Sequence, residues 1–562
     1  MEILVIILGS LTWAFTMIKS GIIYPFGMGF WGANGHDGIW HLAVIENLVK
    51  GKFSNPVFSG ETLKNYHLGF DLIIALINKI TSISTSVLYF QVFPIITALL
   101  IGILIYKFIF NWKKSKIQAI FTIFFVYFAG SFGWLVEFVR NNKFGGESMF
   151  WSQQAISTLI NPPFSLSLIF IILGLIHLKK YIDGKKTKNL LFTVLFFGIL
   201  IQIKAYAGVL VLLALFIAGI FYYFKNKDLR LFQVFSFSLI LSLLIFLPFN
   251  FKSGNLFVFK PFWFLETMVG FKDRFNWERL YLALVQTKDT GFTVKALISY
   301  SLAFLIFIVG NFGTRIVGFL HLKDLFKKDK DSYIEIILFV MSLFGILIPL
   351  FFLQKGTAWN TIQFFYYSLF VFAIYSGLEI GKIFERNRNF DKYFTFFVVL
   401  LTIPTTFSTL YFHYLPNRPP AKLSLEELDA LEFLSKEKDG IVLTYPYDSI
   451  KASEAEANPP RSLYLYESTA YVSAFSKKQL FLEDEVNLEI TGYNWKERKE
   501  KVLDFINGNN REDSILFLKN NDISYLYFTD DQMTKINPSD LSFEEIYNNN
   551  QVRIYGLLDS KE

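Results

Sequence analysis

The chain has 562 residues, 53% hydrophobic and 19% aromatic, with 54 Lys and Arg against 47 Asp and Glu and a net charge of +7; its mean hydropathy is +0.40. A water-soluble protein of this length is not so apolar, which excludes a soluble globular enzyme, and the absence of cysteine excludes disulfides and thiolate metal sites. The positive charge does not argue for nucleic acid, because lysines flanking membrane spans follow the positive-inside pattern.

Repeated apolar runs of about 18–23 residues read as helices that satisfy their own backbone groups in lipid. The sequence predicts an all-α polytopic membrane domain of about eleven spans over residues 1–413, followed by an extracytoplasmic α/β domain over 414–562. The spans fall near 2–24, 84–111, 117–139, 156–178, 189–204, 206–224, 232–250, 296–320, 335–354, 359–384 and 393–413. The first lacks a small-residue cleavage site and reads as an uncleaved helix.

Lys113, Lys114 and Lys116 follow the second span. Lys179, Lys180, Lys185, Lys186 and Lys188 follow the fourth, and Lys225, Lys227 and Arg230 the sixth. Lys323, Lys327, Lys328 and Lys330 follow the eighth, and Lys382, Arg386, Arg388 and Lys392 the tenth. If the spans alternate, all five clusters share one side, the cytoplasm. The protein is then a multi-pass plasma-membrane protein whose loops 25–83 and 251–295 and whose tail lie outside. Only Lys204, Ala205 and Tyr206 separate the fifth and sixth runs, which read as a tight hairpin.

The first outer loop holds three of the six histidines, His36, His41 and His67, among Asp37, Glu46, Lys50, Lys52, Glu61, Lys64 and Asp71. "GIWHLAVIENLVK" reads as a short surface helix, with Ile39, Leu42, Ile45 and Val49 apolar and Glu46, Asn47 and Lys50 on another side. A second interfacial segment is expected from Tyr66 through "LGFDLIIALINKI". Asp37 before a helix suits an N-cap, and histidines suit an interface through their apolar bodies. Together, one Asp and three His also offer a general base, a divalent-ion site or a phosphate clamp. No HxH or HxxxH pair is present.

Lys204 stands between two apolar runs, where an ionisable residue is expensive and marks function, unless it snorkels to headgroups. "KGTAWNTIQFFYY" supplies Lys355 for phosphate, Asn360 and Gln363 for hydrogen bonds, and aromatics that fit either a prenyl chain or an interfacial belt. "NPPFSLSL" (Asn161–Leu168) breaks the entry to the fourth span. Glu137 is a second acidic candidate. Loop 251–295 carries Lys272, Asp273, Arg274, Glu278 and Arg279 and reads as a lid or a solvated loop. In the tail, "GIVLTYP" and "ISYLYFTD" read as strands, and "WKERKEKVLDFI" and "DSILFLKNN" as helices. Tyr464, Tyr466 and Tyr471 read as core. No Walker loop, GxGxxG, HExxH or GxSxG is present.

"GHDGIWH", "GETLKNYHLGFD" and "KGTAWNTIQFFYY", with an acidic residue just after the first span, many further spans and an outer C-terminal domain, resemble the GT-C glycosyltransferases. The resembling branch is the protein O-mannosyltransferase-like and RgtA/B/C/D-like membrane proteins. The resemblance implies an inverting glycosyltransferase that moves a sugar from a polyprenyl-phosphate or polyprenyl-diphosphate carrier to an extracytoplasmic protein, glycan or lipid. It places Asp37 as the catalytic base. His36, His41, His67, Lys204, Lys355, Asn360 and Gln363 are then the substrate-binding candidates. Many such enzymes carry an acidic pair in this loop; this chain has a lone Asp37, so the resemblance leaves a divalent metal open. The partners expected are the bilayer, the lipid-linked donor and the acceptor. The rival readings are a transporter or flippase of lipid-linked sugars, which needs polar groups at the bilayer midplane, and a non-catalytic membrane scaffold.

Overall fold

The computed structural model describes residues 1–250, 257–290, 293–326, 331–530 and 532–558. Lys327, Lys328 and Lys330 of the fourth basic cluster, and part of loop 251–295, lie outside the described residues. The chain forms two compact units, one of Met1–Thr16 and Pro94–Leu415, the other of Met17–Phe93 and Pro416–Glu562. The loop expected to accompany the spans of a 1–413 domain thus makes its tertiary structure with the tail.

The first unit is helical. Among the described residues, eight helices are long and apolar enough to cross a membrane: Thr85–Lys113, Pro162–Gly184, Ala205–Asn226, Arg230–Asn250, Val294–Leu325, Ser332–Phe351, Ala358–Glu385 and Asn389–Tyr414. A ninth results if Lys116–Phe128 and Gly133–Asn141, bent by 49°, count as one span. The expected count of about eleven is reached only by adding two short apolar helices, Glu2–Ala14 and Thr187–Ile203. The first run stops being helical at Ala14 because the chain beyond it turns into a hairpin, Ile22–Tyr24 with Gly27–Phe30.

Gln363–Glu385 is buried along nearly its whole length and forms the centre of this unit. Small residues let a neighbour approach it closely. A Cβ added at Gly377 would lie 2.2 Å from Thr122 Cα, and one at Gly381 would lie 2.6 Å from Gln118 Cα. One cluster of buried charges in this unit is paired, which offsets their desolvation. His321 bridges Glu379 (Nδ1, 2.8 Å) and Glu335 (Nε2, 3.2 Å), Lys113 reaches Glu335 at 2.5 Å, and Lys382 Nζ lies 2.6 Å from both Asp324 and Glu379.

In the second unit, loop and tail share a sheet. The hairpin strand Gly27–Phe30 pairs antiparallel with Ala421–Leu423, which pairs parallel with Arg461–Ser462. Gly27 adopts φ 111°, and a Cβ there would strike Leu423 O at 2.2 Å, so glycine is what allows this approach. A second, five-stranded sheet runs Phe543–Asn548, Val552–Leu557, Ile523–Thr529, Ile441–Thr444 and Gln479–Leu480. Its first two pairings are antiparallel and its last two parallel. Both strands expected from the tail sequence are here, and the two expected helices are Trp495–Asn507 and Arg511–Asn520.

The helix expected at the membrane surface, Asp37–Val49, is instead buried from Gly38 to Glu46. Its polar Glu46 accepts from Thr85 Oγ1 at 2.5 Å and lies 3.7 Å from Lys477 Nζ. The helix Gly69–Thr81 does leave an apolar face outward: Leu72, Leu76 and Ile80 are exposed, Ile80 at 82%.

Candidate active site

Asp37, His36, His41 and His67 belong to the loop–tail unit, and Lys204, Lys355, Asn360 and Gln363 to the helical unit. In the loop–tail unit, Asp37 opens the helix Asp37–Val49, where a negative charge faces unpaired N–H groups. It is not the N-cap: His36 occupies that position and makes no side-chain cap bond. The Asp37 side chain is exposed and accepts no hydrogen bond from the described residues. An exposed, unbonded carboxylate is open to an incoming proton.

Its neighbours come from the tail. The His36 ring packs on Tyr466 (centroids 5.5 Å apart), and Arg461 stacks on the same tyrosine at 3.8 Å. Burial lowers the His36 pKa; the Asp37 charge opposes this and the Arg461 charge reinforces it. His36 is therefore a neutral imidazole at pH 7, able to donate or accept. Asp37 also acts on Asp484, a tail carboxyl whose pKa burial pushes up to about 7.

The other two histidines group elsewhere in the same unit, around Tyr66. His41 is 8% exposed, with Nδ1 2.7 Å from Asp71 Oδ1 and 3.1 Å from the Tyr66 hydroxyl. Its ring packs against Phe70 and Tyr89. His67 is half-buried and stacks on Tyr66 at 5.1 Å. Asp71 thus orients His41 one helical turn beyond Asp37, the geometry of a carboxylate-positioned imidazole.

In the helical unit, the chain breaks at Lys204, which is extended (φ −154°) between Leu200–Ile203 and Ala205–Asn226. It folds back so tightly that a Cβ on Gly208 would meet Ile201 Cα at 2.8 Å. Lys204 is buried, and its Nζ donates to Asn161 Oδ1 at 3.3 Å. Asn161 is the N-cap of Pro162–Gly184: the same oxygen accepts from Phe164 N, and prolines open the helix. Asn161 Nδ2 donates to Gln363 Oε1 at 3.1 Å, and Gln363 Nε2 to Asn360 Oδ1 at 3.4 Å. Lys204, Gln363 and Asn360 therefore meet through Asn161. Lys355 is exposed and outside this chain of bonds, and Glu137 accepts, among the described residues, from Asn141 alone.

Sequence reasoning missed a polar element beside them. Between Asn141 and Pro162 the chain is irregular, then 3-10 over Ala155–Ile160, yet largely buried. Irregular backbone inside a membrane bundle persists where protein or a cavity satisfies it. Here Glu147 accepts from Gln154 N (2.9 Å) and Ser157 Oγ (2.7 Å). Arg315, 2% exposed, donates to Phe312 O, Asn311 O and the Gln154 side chain, and no carboxylate among the described residues pairs with it. Arg315, Gln154 and Ser157 line a cavity of about 30 Å³, room for about one water, with Asn161, Trp13 and Tyr366. A lone arginine inside the expected eighth span was the signal for it.

Among the described residues, one His/Asp/Glu group has three ligand atoms within 4.8 Å of each other: His321, Asp324 and Glu379. Lys382 already sits between its two carboxylates, so that donor set does not suit a cation, and the residues around Asp37 form no such group.

No protein-family model and no curated protein matches the chain. Solved structures do. The archaeal oligosaccharyltransferase AglB from Archaeoglobus fulgidus, in complex with an inhibitory peptide and a dolichol-phosphate, is 14% identical. The match covers 94% of this chain and 69% of that one, with a TM-score of 0.50. The Archaeoglobus fulgidus oligosaccharyltransferase in complex with Zn and sulfate is 15% identical over 93% of this chain and 68% of that one, again with a TM-score of 0.50. ArnT from Cupriavidus metallidurans bound to undecaprenyl phosphate is 12% identical over 99% and 98%, with a TM-score of 0.37. In architecture, a bundle of apolar helices with a sheet-containing C-terminal region, the chain shares its fold with the Archaeoglobus fulgidus oligosaccharyltransferase.

Proposed function

We propose that this protein is a membrane glycosyltransferase that moves a sugar from a polyprenyl-phosphate carrier to an extracytoplasmic hydroxyl acceptor, with inversion. The observation that carries the reading is Asp37, an unbonded, exposed carboxylate at a helix start on the loop that follows the first apolar helix. The acceptor oxygen attacks the anomeric carbon while its proton passes to Asp37. The bond from that carbon to the carrier's phosphate oxygen breaks, and the phosphate leaves as a stable anion, so no second carboxyl acid is needed. His36, neutral, orients the acceptor. His41 and His67 support the loop, His41 through its bond to Asp71.

Within the helical unit, the buried Lys204 and its partners Asn161, Gln363 and Asn360 offer hydrogen-bond donors suited to a carrier phosphate, and the exposed Lys355 offers a further cation. The fold supports this, since a dolichol-phosphate is bound by the oligosaccharyltransferase that shares it. The lysine asymmetry supports an outward-facing loop and tail, and the outward apolar face of Gly69–Thr81 supports contact with the bilayer.

Asp37→Asn tests the reading. In purified protein given a labelled polyprenyl-phosphate sugar, transfer is expected to fall by about 10²–10⁴-fold with an unchanged melting profile. Full activity in that variant removes Asp37 as base. Arg315 inside the helical unit is a feature a flippase also needs. A flippase moves the labelled carrier and yields no glycosylated product, so the same assay separates the two.

A further inference from the structure

The tail holds a cavity that the proposed transfer does not use. It lies where the parallel strands Ile441–Thr444 and Gln479–Leu480 end, beside Tyr527 of Ile523–Thr529. The carboxyl ends of parallel strands are where open α/β sheets form binding crevices. About 40 Å³ of space is walled by Tyr445, Tyr447, Tyr466 and Tyr471, with Glu467 and Asp484 among its acids and no lysine or arginine in its lining. Thr469 also lines it; that residue is 5% exposed, and its Oγ1 has no hydrogen-bond partner among the described residues. A buried hydroxyl left unbonded points to a missing ligand.

Tyrosine faces beside the exposed Glu467 carboxylate, with no lysine or arginine in the lining, favour a cation; Arg461, outside the lining, stacks on Tyr466, and Lys499 pairs with Glu485. A divalent metal is the poorer fit, because among the described residues no three His, Asp or Glu ligand atoms come within 4.8 Å of one another here. An organic ammonium needs no such cage: its charge is met by ring faces, and its N–H groups by Thr469 and Glu467. Glu467 is exposed and makes no ion pair among the described residues, so it is available. The cavity adjoins the first-loop carboxylate, because Tyr466 carries the His36 ring and Asp484 feels the Asp37 charge.

We propose that this cavity binds a primary ammonium group carried by the hydroxyl acceptor, and so selects amine-bearing acceptors. The assignment of the ligand as acceptor rests on the reading of Asp37 as base; the assignment of the cavity does not. Binding is tested on the full chain in detergent by saturation-transfer NMR, with ethanolamine as probe and ethylene glycol as its neutral counterpart. Ethanolamine is expected to bind saturably, at least tenfold tighter than ethylene glycol. Glu467→Gln and Tyr447→Leu are each expected to weaken it by fivefold or more without shifting the melting temperature. Equal binding of the two probes, or ethanolamine binding that both variants leave unchanged, overturns the proposal. If ethanolamine binds as expected while Asp37→Asn still transfers sugar, the cavity stands and the assigned base falls. If Asp37→Asn abolishes transfer and the probes do not differ, the reverse holds.

Discussion

Lys204 donates from Nζ to Asn161 Oδ1 at 3.3 Å, and the oxygen it uses is the one that caps Pro162–Gly184 through Phe164 N. One side chain thus ends a helix and fixes an ammonium inside an apolar unit. The capping bond stiffens Asn161, and Gln363 holds its amide from the other side.

If Lys204 meets the carrier phosphate, its removal is a binding defect before it is a chemical one. Lys204→Met is expected to raise KM for the polyprenyl-phosphate sugar by about tenfold or more, roughly the cost of one charge-assisted hydrogen bond. Lys204→Arg, which keeps the charge, retains part of the affinity. Asn161→Leu shifts KM in the same direction by less. Steady-state rates at varied carrier concentration read this directly, and an unchanged KM in Lys204→Met rejects the role.

Arg315 gives a sharper contrast between packing and function. A buried charge that serves only structure is commonly replaced by an apolar group of similar volume at little cost or with a gain. Arg315 has neutral acceptors alone among the described residues. Arg315→Met is therefore expected to melt within a few degrees of the parent while transfer falls by about 100-fold. Arg315→Lys does not rescue it, since a point charge lacks the planar fork that reaches three acceptors. A stable, fully active Arg315→Met assigns the residue to packing.

The helices were legible because each must be apolar along its length, and Lys204 was legible because a charge between two apolar runs has few structural excuses. The tail strands Ile441–Thr444 and Ile523–Thr529 showed in composition. The sheet that joins Gly27–Phe30 to Ala421–Leu423 did not. Its strands are three or four residues long, too short for a period, and the pairing is set by residues far apart in the chain. The buried Asp37–Val49 helix read as amphipathic because its polar Glu46 finds its partner, Thr85, only in three dimensions. Arg461 and Tyr466 were invisible as site residues for the same reason: nothing local ties a tail arginine to a histidine of the first loop.

Gly377 tests the packing of the helical unit. A side chain there meets the Thr122 backbone, with Cβ 2.2 Å from Cα, so the neighbour cannot yield by rotating a side chain. Gly377→Leu is expected to destabilise by about 3 kcal/mol or more, beyond ordinary overpacking, and to lower the yield of folded protein in detergent. Gly184→Ala is the control, since a Cβ at Gly184 has nothing within 4 Å. Equal melting of the two variants contradicts the close helix contact.

The loop–tail unit carries a pH signature. Burial lifts Asp484 and Glu427 each to about 7, against hydrogen bonds from Asn487 and Ser424 that pull the other way. The native state therefore holds protons that the unfolded chain has released above about pH 4. Stability from these groups is fully present at the acid end and is lost as pH rises through about 7, at up to about 1.4 kcal/mol per pH unit per group. Above that both states are ionised and the dependence flattens. Thermal melts of the full chain between pH 5 and pH 8 are expected to show this fall, and Asp484→Asn and Glu427→Gln are each expected to make it shallower. Melting that climbs steadily with pH over that window, and that neither substitution alters, contradicts the buried, protonated state of both carboxyls.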